Sequence, residues 1–370
     1  PGQPLTILNL LQALPGQSAS IDLEEALRGL RRLQNQQRRG LALVSQLTPV
    51  SSDPAAPAAA PLPITTRIVS LPVSHRPAPL QLELIAPTQG GNGRLVVISH
   101  GLWDGPASFE GWADELASHG YTVILPNHPG SDKQQQQAML SGKAAPPPPD
   151  ELRNRPLDIS AVITAVGSGA IAGLNGVSAD QVVVIGHSWG ATTALQLAGT
   201  RPSSTQLRKR CNDLRDPERN ISWVLQCSFL SSADAANLAD PRVIGVAAVS
   251  PPMNLLFDVG ASRPMQARAL VVSGTSDWVV PSGPEAIEMF ATPASEGHQL
   301  VLVRGGDHFN LRAPRIAGPA PLAPLLLAWT DAVFKAGPAA RPSPGAAPLL
   351  APTGWGSTSF PMVDATATTR

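Results

Sequence analysis

Ser188, Asp277 and His308 are the side chains of this chain whose types could carry out acyl transfer together. A serine hydroxyl is a weak nucleophile and needs a base within hydrogen-bond reach to take its proton. Histidine suits that task because its unperturbed pKa lies near ~6.5. An aspartate behind the imidazole fixes its tautomer and stabilises the cation that forms. Ser188 stands in Gly186-His187-Ser188-Trp189-Gly190, directly after the apolar run Val182-Val183-Val184-Ile185. A short β-branched run reads as a buried parallel strand, and Ala191 to Ala198 reads as a helix. Strand, sharp turn, serine and helix form a nucleophile elbow, whose glycines are needed because side chains there would strike the neighbouring strand and helix. The bland alternative is a serine that merely caps a helix. Whether an acid and a base follow downstream decides between the two.

Both follow. Asp277 ends the apolar stretch Ala269-Leu270-Val271-Val272-Ser273-Gly274, and His308 follows Leu300-Val301-Leu302-Val303 through a Gly-containing loop. The order Ser, Asp, His is that of α/β-hydrolases, not of the chymotrypsin or subtilisin folds. All three residues are expected at the carboxyl ends of strands, where open α/β sheets collect their functional groups. Asp307 is a rival acid, but it adjoins His308, and neighbouring side chains in an extended segment point apart. His298 is a rival base, but it precedes its strand and belongs at the opposite edge. The run Arg94 to Ile98 enters Ser99-His100-Gly101-Leu102-Trp103. In this fold the oxyanion is held by the backbone N–H after the nucleophile and by one from an early strand's loop. Trp189 and Leu102 are the expected donors. The rings of His100 and His187 are expected to make hydrogen bonds within their loops rather than to act in catalysis.

Ser99-His100-Gly101-Leu102, the stretch Glu115 to Gly120, the strand Tyr121 to His128 and the Gly186–Gly190 pentapeptide together resemble the dienelactone hydrolase superfamily. The nearest branch is that of the platelet-activating-factor acetylhydrolase-like esterases, with cutinases and polyester hydrolases as cousins. The resemblance covers about residues 64 to 335. It implies a serine ester hydrolase that needs no cofactor. True dienelactone hydrolases use a cysteine nucleophile, so Ser188 argues against that activity here.

The elements that must position these groups form an expected α/β-hydrolase fold: a mostly parallel sheet, helices on both faces, a helical N-terminal segment and cap insertions. The segment 1–45 reads as helical. Asp22 is its N-cap with Glu25 three residues later, Leu23, Leu27, Leu30 and Leu33 recur at helical spacing, and Gly40 is the expected stop. Its basic face, with Arg28, Arg31, Arg32, Arg38 and Arg39, suits a solvated face of a docked helix, with contact to a membrane surface as the alternative. An Ala/Pro linker spans 46–63, and Arg67 to Val73 with Leu80 to Ala86 reads as a leading hairpin. The hydrolase unit is expected over 64–336, with a mobile lid loop at about 128–156 and a cap insertion at about 200–241. A Pro/Ala-rich tail, 337–370, is expected to wrap the surface.

Composition bounds the partners. The formal net charge of the 370 residues is zero, which gives no long-range field for nucleic acid. No apolar stretch is long enough to span a bilayer, and the spacing of His, Cys and carboxylates offers no metal site. Pro1 stands where a Met would, which fits a processed chain, and no signal peptide can be read. The two cysteines, Cys211 and Cys227, both fall in the cap insertion, the pattern expected of a disulfide. The alternative is a pair of buried thiols. A disulfide implies an oxidising compartment and hence export. Trp103, Phe109, Trp278 and Phe309 lie beside the expected site and are candidates to line an apolar pocket. No cluster of cations is legible near the triad, although Arg263, Arg268 or Arg304 could fold inward, so the expected substrate is an uncharged short-acyl, aromatic or lipid-like ester. A cutinase- or lipase-like enzyme is the alternative. A thioesterase, a peptidase and a non-catalytic binding protein on the same fold are more remote.

Overall fold

The apolar runs that flank the three chemical residues lie side by side in one sheet. The computed structural model describes residues 22–53, 60–234, 237–258, 260–262, 264–290, 296–318 and 320–369. Its strands are β1 (Ile64–Leu71), β2 (Leu80–Pro87), β3 (Arg94–Ser99), β4 (Thr122–Pro126), β5 (Ser178–His187), β6 (Val243–Val249), β7 (Arg268–Gly274), β8 (Gln299–Val303) and β9 (Met362–Asp364). They form a nine-stranded sheet in the order β1-β2-β4-β3-β5-β6-β7-β8-β9. The stretch from β4 to β8 is parallel, while β1, β2 and β9 add antiparallel edges.

Unbroken apolar runs appear because both faces of the sheet are covered. Along β5, Val182 and Val184 enter one core, and Val183 and Ile185 enter the other. The first core is closed by α4 (Glu151–Gly167) and α5 (Trp189–Leu197), through side chains such as Leu152, Ile159 and Ala191. The second is closed by α2 (Glu110–Ser118) and α8 (Ala323–Ala336), through Trp112, Leu116, Leu325 and Trp329. This is the α/β-hydrolase fold expected from the sequence.

Four expectations need correction. First, helix α1 (Leu23–Gln46) does begin at the Asp22 cap, whose Oδ1 accepts from Glu25 N at 3.0 Å, but it runs through Gly40. A Cβ at Gly40 would overlap the Ser282 hydroxyl, so the glycine serves close packing rather than termination. The leucine stripe is not the docking face either. Leu23, Leu27 and Leu30 are exposed, while Gly40 and Val44 are buried. The remainder of the expected N-terminal segment, residues 1–21, lies outside the described residues, as do residues 54–59 of the linker.

Second, the stretch 128–156 is not all loop, since about half of it is helical. It contains α3 (Lys133–Leu140), capped by Asp132, and the first residues of α4, of which Glu151, Leu152 and Arg155 are buried. Pro156 sits inside α4 because its missing N–H is compensated: the carbonyl four residues back, Leu152 O, accepts from Gln196 Nε2 at 3.1 Å. Third, the tail does not simply wrap the surface. It supplies β9, with Trp355 and Met362 buried in the second core. Fourth, cations do stand at the site, as set out below.

Candidate active site

The elbow follows from local sterics. Ser188 has φ 54° and ψ −120°, a left-handed region that a serine occupies only when its surroundings impose it. A Cβ at Gly186 would overlap the Gly190 carbonyl, and one at Gly190 would overlap the Ser99 carbonyl. Strand and helix can therefore cross this closely only with glycine at both flanks. Ser188 N donates to Val249 O at 2.9 Å, which ties the turn to β6.

Asp277 and His308 meet beyond the ends of β7 and β8. Asp277 is fully buried. Its Oδ1 accepts from Val279 N at 2.9 Å and Val280 N at 2.7 Å, and its Oδ2 faces His308 Nδ1 at 3.0 Å. A carboxylate on Nδ1 places the proton there and leaves the Nε2 lone pair available. The rival acid, Asp307, instead caps its own turn, accepting from Phe309 N and Asn310 N, each at 2.7 Å. His298 lies at the other end of the sheet, where its Nδ1 accepts from Ala269 N at 2.9 Å. Burial, with Arg268 nearby, lowers its pKa to about 3.

One cavity of about 470 Å³ is lined by Ser188 and His308 together with Gly101, Leu102, Trp103, Leu225 and Phe309. Gly101 is pressed against the elbow: a Cβ there would stand 3.1 Å from Ser188 Cβ. Among the described residues, the backbone N–H groups of Leu102 and Trp189 have no hydrogen-bond acceptor. The sequence-derived aromatics divide. Trp103 and Phe309 line the cavity, while Trp278 does not; its ring lies 6.0 Å from that of Phe309. Phe109 does not reach the cavity; it is fully buried, packed on Trp112 and on the back of His187. Its position at the start of α2 turns it into the second core. The Trp189 ring does not line the cavity either; it packs at a tilt on Phe229 and donates from Nε1 to Leu225 O at 3.1 Å.

The two histidines expected to be structural differ. His100 Nε2 accepts from His128 N at 3.0 Å, so its Nδ1 carries the proton and donates to Gly101 O at 2.7 Å. Burial, then the charges of Arg155 and His128, keep its pKa well below the usual histidine range. His187 makes no well-formed hydrogen bond within its loop; its ring packs 4.7 Å from that of His308. Burial and the nearby His308 and Arg312 lower its pKa too.

Several site residues escaped the sequence reading. Lys133, Gln136 and Arg312 line the cavity, and Arg312 Nη1 pairs with Asp104 Oδ2 at 3.0 Å while Lys133 Nζ lies 3.5 Å from Asp104 Oδ1. They are scattered along the chain, and only the fold gathers them. Arg268, once a candidate to turn inward, donates to Gly297 O and Ala347 O at the opposite end of the sheet. Arg263 lies outside the described residues. The cap insertion holds α6 (Thr205–Arg210) and α7 (Ser222–Cys227), clipped by a Cys211–Cys227 disulfide with Cα atoms 5.7 Å apart. Leu225 on α7 closes one wall of the cavity.

A further group missed in the sequence lies behind the Gly101 loop. Arg76 bridges Glu151 and Asp158, and Asp158 also meets His128 Nδ1 at 2.8 Å and His75 Nε2 at 2.7 Å. Burial alone would raise the Asp158 carboxyl, but the hydrogen bonds from His128, His75 and Arg76 outweigh it and hold it well below the usual carboxylate range. Burial, with the charge of Arg155, lowers His128 to about 4. The spacing Glu151, Arg155, Asp158 on one helix face was the available signal, but the proline-rich surroundings read as a loop.

Comparison with known families shows a match to the alpha/beta hydrolase fold over residues 94–206. That stretch runs from β3 through the Gly101 loop, α4, the elbow and α5. It supports a hydrolase in general. None of the curated proteins matches the chain. No helix among the described residues is long and apolar enough to cross a membrane.

Proposed function

We propose that this protein is a serine carboxylic ester hydrolase. The observation that carries the reading is the shared cavity of Ser188 and His308, with Asp277 seated on His308 Nδ1. In the proposed reaction His308 takes the Ser188 proton as the hydroxyl attacks the ester carbonyl, and the Leu102 and Trp189 N–H groups hold the oxyanion. The alcohol leaves with the proton from His308. Water then repeats the sequence and releases the acid. No cofactor enters these steps. The Ser99–Leu102 and Gly186–Gly190 segments support a place near the dienelactone hydrolase-like esterases.

The cap supports short-acyl or aromatic esters, because Leu225 narrows the cavity at Ser188, and an uncharged substrate is supported only so far as Asp104, paired with Arg312 and 3.5 Å from Lys133, offsets the cations on the wall. A second reading, a cutinase- or lipase-like enzyme, is favoured by the neighbouring Trp278 and Phe309 rings, 43% and 46% exposed, which could meet a polymer or lipid surface. The disulfide supports an oxidising compartment. Ser188→Ala should lower p-nitrophenyl ester hydrolysis by at least ~10⁴-fold with the fold intact. Full activity in that variant, or failure of a fluorophosphonate to label Ser188, would overturn the reading. An ester panel run from acetate to long acyl chains and a polyester film separates the two substrate classes.

A further inference from the structure

Arg155 is a fully buried cation whose donors serve the loop opposite the nucleophile. Its Nη1 donates to His100 O at 2.6 Å, its Nη2 to Gly101 O at 3.1 Å, and its Nε to Ser131 Oγ at 3.0 Å. The nearest carboxylate, Glu151, stands 3.8 Å away, so the guanidinium is spent on backbone carbonyls rather than on a tight ion pair. Buried arginines ordinarily pair bidentately with carboxylates. This one grips two successive peptide groups.

The second of those peptides joins Gly101 to Leu102. A trans peptide is planar, so its C=O and N–H point in opposite directions. With the Gly101 oxygen drawn into the buried cluster by Arg155 and by His100 Nδ1, the Leu102 N–H must point the other way. That way is the cavity, which Leu102 lines beside Ser188. The cation behind the carbonyl also polarises the peptide, leaving its N–H a stronger donor. The tie is fixed at both ends: Arg155 sits on α4, and Trp103 N donates to Ser131 O at 2.7 Å, so the loop is held on each side of Leu102.

We propose that Arg155 is a positioning residue for acyl transfer, aiming and polarising the Leu102 N–H toward the oxyanion. This rests on the proposed esterase reading of Ser188. Arg155 touches no substrate; it acts through the Gly101–Leu102 peptide. Losing one oxyanion donor costs ~10²–10³-fold in kcat where it has been measured.

Arg155→Met and Arg155→Lys are the test, with rates expressed per Ser188 titrated by a fluorophosphonate, so that any unfolded fraction drops out. Arg155→Met should lower kcat by ~10²-fold with KM changed less than about threefold, because the oxyanion exists only in the transition state. Its affinity for a trifluoromethyl ketone, which forms a tetrahedral oxyanion on Ser188, should fall by the same factor as kcat/KM. Arg155→Lys keeps the charge but not the fork, and should fall between Met and the parent. A purely structural role would move the thermal midpoint but leave ketone affinity per active site unchanged. That result, or kcat within about threefold of the parent in Arg155→Met, overturns the proposal. So does a complete lack of titratable sites in both variants while Ser188→Ala folds normally, because Arg155 would then be a folding residue. If Ser188→Ala itself stays active, it is the esterase reading that fails, and the two failures are distinct.

Discussion

The elbow at Ser188 and the loop at Gly101–Leu102 face each other across one cavity, yet they are fixed by opposite means. The elbow is held by the chain's own contour: glycines at 186 and 190 let strand and helix approach to a distance no Cβ would permit. The loop is held from outside, by the Arg155 side chain from α4 and by main-chain groups of the turn at His128 and Ser131. A site of this kind joins a locally determined half to a half that exists only once distant segments have met. The first should fail sterically and at every pH. The second should fail electrostatically.

The largest effect expected is on the second half. Asp158 is the common acceptor for His75, Arg76 and His128. Removing one partner of a buried charge network leaves the others uncompensated and typically costs ~3–5 kcal/mol. Asp158→Asn should therefore lower the unfolding free energy by about that amount at pH 7, measured by urea denaturation. A loss below about 1 kcal/mol would show that the loop does not depend on the cluster.

Gly190→Ala breaks the other half. The added methyl would overlap the Ser99 carbonyl, a backbone atom that cannot rotate away. Overpacking of this kind costs typically ~1–3 kcal/mol and sometimes more. The loss should be the same at pH 8 and pH 6, since no titrating group changes. A loss that grew with acidification would erase the contrast between the halves.

The same contrast explains what could be read from the sequence. Ser188, Asp277 and His308 each stand at the end of an apolar strand, and that signal lies in their immediate neighbours. The strands of the parallel sheet were legible for the same reason. Arg155 and its partners carry no such signal. Arg76 and Glu151 are 75 residues apart, and polar residues in a proline-rich stretch read as solvated until their partners are known. Pro156 deepened the error, since a mid-helix proline normally ends a helix, and only Gln196 on α5 makes it tolerable. Strand β9, three residues in a Pro- and Ala-rich tail, was too short to show a period. Phe109 shows the converse limit: nearness in sequence to the loop did not put its ring in the cavity.

The smallest effect is the pH dependence, and it bears most directly on the comparison. His128 has a pKa of about 4 in the folded protein, against ~6.5 when unfolded. Between those values the unfolded chain binds a proton that the folded chain does not, so stability falls as pH falls through the window and is fully present above it. For this one residue the loss between pH 7 and pH 5.5 is about 1 kcal/mol. His100, His187 and His298, all lowered by burial, contribute with the same sign. Glu83 opposes them: burial, with Glu110 beside it, raises its pKa to about 7, so its contribution is recovered as pH falls. Glu285, fully buried and raised by that burial, acts with Glu83, but the four lowered histidines outnumber the two carboxyls, and the net change on acidification is a loss. The urea midpoint of the parent should therefore drop between pH 7 and pH 5.5, and Gly190→Ala should keep the full drop. In His128→Gln the drop should shrink by about 1 kcal/mol. An unchanged drop in that variant would mean that His128 already carries its proton in the folded cluster, and that the loop is held by an ion pair with Asp158 rather than by a neutral imidazole between Asp158 and Ser99.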